Sequence, residues 1–291
     1  MKILDGYTLM HEHVTIDLSK LKNEDAKLDA FDLTVEEFKD LYNFGVRNIV
    51  DVTNIGMGRD VAYIKRIEDE TGINIIMSTG FYKEPFYPEF VYSSSIDELT
   101  KIMVDEINNG IDNSDKKPMI IGEIGTSKDK ATDEEMKVFE ACANAQLITG
   151  LPISTHTSLG TLGKEQVEFL FGKGIKPEKI VIGHMDLSED INLILDLLES
   201  GVYVAFDTVG KVSYSPDEFR IKALKRIKAE DRLDQIFLSL DITRKSHLKR
   251  NGGIGYSYLF EKFIPEMLDN GFSKDDVDLI LKENPKRIFS N

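Results

Sequence analysis

The sequence holds one cysteine, Cys142, so no disulfide can form within a chain. Its surroundings, Phe139-Glu140-Ala141-Cys142-Ala143, read as the packed side of a helix with no basic neighbour to activate a thiolate. A small core residue is expected there rather than a nucleophile. Apolar runs are short. None approaches the roughly 20 residues needed to cross a bilayer, and the N-terminus has no cleavable signal pattern, so a cytoplasmic protein without membrane contact is expected. Positive charge is scarce as well. With 36 basic against 51 acidic side chains the net charge is -15, which repels nucleic acid over most of the exterior. Internal repeats, low-complexity tracts and Pro/Gly/Ser linkers are missing too, and a single domain over residues 1–291 is expected.

Histidine is sparse but placed with a pattern: His11, His13, His156, His184 and His247 are the whole set. In the apolar run over residues 7–14, His11 and His13 lie two apart. In an extended strand they project from one face while Glu12 points away. Imidazole is the commonest side-chain metal ligand near neutral pH, so both rings can reach one ion. Further strand-like runs cover residues 48–53, 74–79, 118–125, 152–157, 179–186, 201–207 and 235–241. Between them lie helical stretches at 60–71, 96–109, 132–149, 163–172, 190–200 and 217–229, with two more around 258–268 and 274–288. Another helix is predicted to open at Thr34 as cap, with Glu37 completing a capping box, and to end before Gly45. The polar stretch 18–32 reads as a long connection near the mouth of a site, and the aromatic-rich stretch 80–94 as a loop lining or covering its rim.

Eight short strands alternating with helices argue for an α/β fold, a (β/α)8 TIM barrel, with a doubly wound sheet as the alternative. In such a barrel the catalytic face lies at the C-terminal ends of the strands. There the strand assignment gathers His11, His13, Glu123, His156, His184 and Asp241. Glu123, flanked by isoleucines and glycines, is costly to bury as a free anion unless a cation pairs with it. Four imidazoles and two carboxylates exceed the three protein ligands of a typical catalytic zinc. Two metals fit better, bridged by Glu123 and by a hydroxide. The mixed nitrogen and oxygen donors suit Zn2+ first, with Mn2+ or Co2+ as alternatives. The expected chemistry is hydrolysis with the bridging hydroxide as nucleophile, and Asp241 as a ligand that orients it and carries its proton to the leaving group. No serine or cysteine triad is visible.

The motifs His11-Glu12-His13, Ile121-Gly122-Glu123-Ile124-Gly125, Ser154-Thr155-His156-Thr157, Gly183-His184-Met185-Asp186 and Ser239-Leu240-Asp241 resemble the signatures of the phosphotriesterase family within the amidohydrolase superfamily. The resemblance extends to Gly58-Arg59, Phe206-Asp207-Thr208 and Asp241-Ile242-Thr243-Arg244. It implies a binuclear zinc barrel, with His11, His13, Glu123 and Asp241 on one metal and Glu123, His156 and His184 on the other, and a homodimer. One departure stands out. The phosphotriesterases and phosphotriesterase-like lactonases of that family bridge their metals with a carboxylated lysine where this chain has Glu123. Substrate does not follow from the resemblance: phosphoesters, lactones and carboxylic esters stay open, as does a metal-binding protein without hydrolytic activity.

After the eighth strand the chain carries Arg244, Lys245, His247, Lys249 and Arg250, with no acidic residue from Ile242 to Phe260. In so acidic a protein this cluster points to a small anionic substrate, with Arg244 and His247 as its binding residues. The opposing reading is that these side chains pair with surface acids.

Overall fold

The computed structural model of the protein describes residues 3–290. Eight parallel strands run in consecutive order: β1 (Tyr7–Glu12), β2 (Val46–Asp51), β3 (Asn74–Thr79), β4 (Ile120–Thr126), β5 (Ile153–Thr157), β6 (Ile180–Gly183), β7 (Tyr203–Phe206) and β8 (Ile236–Leu238). Alternation along the strands builds two apolar layers. Met10, Val50, Ile76, Val181, Ala205 and Phe237 form one cluster, while their neighbours Leu9, Ile49, Ile75, Ile182, Val204 and Leu238 belong to the larger cluster beneath the helices. The first set fills the barrel and the second seats the helical shell, as expected of a TIM barrel.

The barrel closes without a complete ladder. Among the described residues no backbone pairing joins β8 to β1. Side chains bridge the seam instead: the buried Glu12 carboxylate accepts the amides of Leu240 at 2.7 Å and Ile242 at 3.1 Å, and Ser239 Oγ accepts the amide of His11 at 3.0 Å.

The shell comprises α1 (Phe31–Asn43), α2 (Val61–Thr71), α3 (Ile96–Asn109), α4 (Asp133–Thr149), α5 (Gly163–Gly172), α6 (Ile191–Glu199) and α7 (Asp217–Ala229). Helix α4 opens with a capping box, in which Thr132 and Glu135 each accept the other's backbone amide. The one expected at Thr34 is absent. Helix α1 begins three residues earlier, at Phe31, and buries Thr34 within its first turn. Glu37 accepts the amides of Lys249 and Tyr256, both at 2.7 Å, so its carboxylate serves the chain after β8 rather than its own helix end. The two C-terminal helical stretches each include a wider turn, at Leu259–Phe263 and Leu279–Glu283. Within residues 80–94 a short helix, Glu89–Ser93, interrupts what reads as irregular chain. Within 18–32 a 3-10 turn and a two-residue strand, Lys27–Leu28, fold back on Ile16–Asp17.

Candidate metal centre

Glu123 lies within β4 and is almost fully buried, with four imidazoles around its carboxylate. Its Oε1 stands 3.4 Å from His13 Nε2, and its Oε2 stands 3.5 Å from His11 Nε2, 3.1 Å from His156 Nδ1 and 3.6 Å from His184 Nε2. Asp241 adds Oδ1 at 3.2 Å from His13 Nε2 and 3.7 Å from His11 Nε2. The six side chains singled out from the sequence therefore meet at one point. Strand ends explain this only in part: His156 lies on β5, but His184 and Asp241 lie beyond β6 and β8. Both take left-handed backbone angles, φ +57° and +53°. Such conformations are uncommon without glycine and gather where function needs a particular aim. Gly122 has its own requirement, since a Cβ there would sit 2.0 Å from the carbonyl oxygen of Ser154. A bare residue lets β4 approach β5 just before Glu123.

Neighbouring groups settle which ring nitrogen faces inward. Thr53 donates its hydroxyl to the carbonyl of Thr15, so the ring N–H at His13 Nδ1, 2.8 Å away, donates to the Thr53 oxygen and leaves Nε2 free. Asp207 Oδ1 lies 2.6 Å from His184 Nδ1, and its Oδ2 lies 3.2 Å from His11 Nδ1. One buried carboxylate thus backs two imidazoles. His156 Nδ1 and His184 Nε2 lie 2.8 Å apart, and Tyr82 Oη stands 3.4 Å from both nitrogens of His156.

Electrostatically the cluster is built for positive charge. Burial opposes ionisation of Glu123, yet His11 and the other imidazoles outweigh it and hold the carboxyl well below its usual range. Burial likewise opposes ionisation of Asp241, which Lys211 and His13 hold well below normal. The same balance acts on His13: burial disfavours its cationic form, but Asp241 and Glu123 raise its pKa to about 10. Burial, with His184 adding, pushes His156 down to about 4. A divalent ion serves this competition better than protons can. Geometry supports the fit. Both ring nitrogens of buried His11 lack a hydrogen-bond partner. Ligand atoms of His11, Glu123 and His184, and of His11, His13 and Asp241, lie within 4.8 Å of one another.

The cluster opens into a cavity of about 220 Å3. Arg244 lines it. His247 is not in its lining, which corrects the pairing of these two residues: Nδ1 of His247 accepts the amide of Thr243 at 3.3 Å. Lys245, Lys249 and Arg250 pair with Asp29, Glu261 and Glu36, as charged surface side chains commonly do. Sequence reasoning gave no role to Lys211, whose ammonium lies 2.5 Å from Asp241 Oδ2, nor to Lys22, Thr53 and Asp207. Lysines in loops carry no periodic signal, though Lys22 falls in the stretch assigned to the mouth. Of the six aromatic residues in 80–94, Tyr82 is the one that lines the cavity.

The phosphotriesterase family model matches residues 3–289. The chain belongs to the phosphotriesterase family. Over 285 residues this family member is 48% identical to the phosphotriesterase homology protein of Escherichia coli, covering 98% of both chains. The crystal structure of that protein, complexed with phosphate in its active site, superposes with a TM-score of 0.96 over 98% of this chain and 99% of the other. An aryldialkylphosphatase of Saccharolobus solfataricus is 31% identical, covering 98% of this chain and 95% of its own. A phospho-furanose lactonase of Mycoplasmopsis synoviae is 34% identical, covering 89% and 80%. The chain is a metal-dependent hydrolase of this family, acting on a small molecule. No helix among the described residues is long and apolar enough to cross a membrane.

Proposed function

We propose that this protein is a binuclear zinc hydrolase that cleaves the ester bond of a small anionic phosphoester or lactone, with manganese or cobalt as alternative metals. The observation that carries the reading is the buried His11, its Nδ1 facing Asp207 and its Nε2 making no hydrogen bond, set among three further imidazoles and two carboxylates. His11, His13, Glu123 and Asp241 would hold one metal and Glu123, His156 and His184 the other. Bound there, the metals supply a water nucleophile that ionises near neutral pH and a Lewis acid for the scissile bond.

The chain's own groups do the rest. Thr53 and Asp207 fix the ring orientations of His13 and of His11 and His184, so that little reorganisation is left for the reaction. Asp241 accepts the proton released by the attacking water and returns it to the leaving group. Lys211, ion-paired with it, keeps that carboxylate ionised and ready. Tyr82, Ile16, Leu18 and Met57 line the cavity with apolar surface that limits water around the reacting bond.

Elemental analysis of protein purified without chelator, with turnover measured against phosphoesters, lactones and carboxylic esters, tests this reading. Two metals per chain and hydrolysis of at least one class are expected, with both lost in His11→Ala and Glu123→Ala. A content that never exceeds one metal refutes the binuclear assignment. Because Glu123 supplies its carboxylate directly, reconstitution of the apo-protein with zinc should proceed equally with and without bicarbonate.

A further inference from the structure

The loop after β7 brings Lys211 to Asp241, yet the tip of that loop stands in solvent. Val212, Ser213 and Tyr214 are exposed, whereas Lys211 turns inward and is 7% exposed, its ammonium bonded to both the carboxylate and the main-chain carbonyl of Asp241. The shape of the loop must therefore be set from its base. One side chain of α7 reaches that base from behind. Arg220 is fully buried and spends four of its five N–H donors on Asp186 Oδ2 at 2.6 Å, Thr208 Oγ1 at 2.8 Å, the carbonyl of Ser215 at 2.7 Å and Asp217 Oδ1 at 2.8 Å. Thr208 and Ser215 bracket the exposed tip and Lys211.

Asp217, in the first turn of the same helix, ties down the stretch between them. Its Oδ1 also accepts the amide of Gly210 at 3.1 Å, and its Oδ2 accepts the hydroxyl of Tyr258 at 2.9 Å. Gly210 takes φ +80°, and a Cβ there would stand 2.7 Å from the Tyr258 ring, so a bare residue lets the loop lie this close. Thr208 in turn donates its hydroxyl to Asp186 Oδ2 at 2.5 Å, which joins the loop after β6 to the loop after β7. The amide of Lys211 donates to the carbonyl of Thr208 at 3.0 Å, closing a turn between the pinned residue and the one that is aimed. A buried arginine between carboxylates commonly gains little net stability over apolar packing of the same volume. What it supplies here is direction, because a planar fork fixes the angle of each acceptor as well as its distance.

We infer that Arg220 is a positioning residue for the hydrolysis: it locks the loop after β7 in the arrangement that sets Lys211 on Asp241, the carboxylate assigned to the proton transfer. The inference rests on the hydrolase reading above and adds to it a residue that neither lines the cavity nor bonds to a proposed metal ligand.

Labelling of lysines with an amine-reactive ester, read residue by residue by mass spectrometry on the zinc-loaded protein, tests the placement without any turnover. In the wild type Lys211 should react at least about tenfold more slowly than the exposed Lys20, and in Arg220→Met and Arg220→Lys it should come within about threefold of Lys20, as local opening of its loop requires. Lys116, buried against Glu68 elsewhere, should stay protected throughout. Arg220→Lys keeps a charge between the carboxylates but loses the fork, so it decides the matter if Arg220→Met does not fold. Asp217→Asn keeps an oxygen for Gly210 and should leave Lys211 protected. Against an ester that the protein turns over, Arg220→Lys should lower kcat about 100-fold with KM within about twofold, the cost of a misplacement near 1 Å. In a Lys211→Met background it should cost nothing further. Lys211 still protected in the folded Arg220 variants, Lys116 exposed along with it, kcat undiminished, or a full second loss in the Lys211→Met background each overturns the inference. Lys211 released in a protein that hydrolyses no ester removes the hydrolase reading and leaves the placement standing, whereas hydrolysis with Lys211 still protected removes the placement alone.

Discussion

Asp207 is the residue whose loss should reveal how the centre is held. It touches His184 at 2.6 Å and His11 at 3.2 Å, one imidazole from each proposed half of the site. Asp207→Asn keeps the shape but removes the charge and turns one acceptor into a donor. Outer-shell carboxylates of this kind usually govern metal affinity by about 10- to 100-fold, and chelator competition should show a loss of that size with the far-ultraviolet circular dichroism unchanged. His247 makes a different kind of prediction. Burial, with Lys211 adding, pushes its ring down to about 4 from an ordinary 6.5. Between those values the unfolded chain takes up a proton that the folded chain refuses, so the contribution is complete above pH 6.5 and is lost as the pH falls towards 4. Allowing for partial solvent access, the loss amounts to about 2 kcal/mol. Denaturant titrations from pH 7 to 4 should show the wild type losing that much relative to His247→Asn. Parallel profiles would remove His247 from the account.

At the scale of elements, α1 and the chain after β8 depend on one carboxylate. Glu37 is nearly fully buried and accepts two amides, from Lys249 and Tyr256. Tyr256 in turn donates its hydroxyl to the carbonyl of His13 and packs edge-on against Phe38. Glu37→Ala leaves two buried donors without acceptors, which should cost about 2 to 4 kcal/mol and loosen the segment that presents Arg244. A melting temperature within a degree or two of the wild type would contradict that. The same residue shows where sequence reading stops. Thr34 and Glu37 have the spacing of a capping box, and spacing alone cannot reveal that a carboxylate has a partner more than 200 positions away. The box at Thr132 and Glu135 has the same local pattern and is real. Strands, their order and the meeting of the six candidate ligands were legible because period-two alternation and a chemically rare residue at the end of an apolar run are local signals. Lys22, Lys211 and Thr53 were not, since their meaning lies in what folds against them. His247 was misplaced for a related reason: proximity in sequence to Arg244 says nothing about which side chain faces the cavity.

For the molecule as a whole, the acidic exterior and the basic pocket wall divide the work. A surface of charge -15 favours solubility and discourages polyanions, while screening over about 8 to 10 Å at ordinary salt leaves the mouth to be governed by its own lysines and arginine. The barrel also has a beginning and an end that meet imperfectly. Elsewhere a strand is gripped by its neighbour through several backbone bonds, but at the seam one acidic side chain, Glu12, takes the place of the missing rungs. The barrel is therefore a ring with a clasp. In Glu12→Gln, hydrogen exchange at Leu240 and Ile242 should quicken at least 100-fold, with amides between β4 and β5 keeping their protection. Since His11 and His13 flank Glu12 in the chain and Asp241 sits between the two amides that Glu12 holds, a molecule that comes unfastened there parts the side chains proposed to hold its metal.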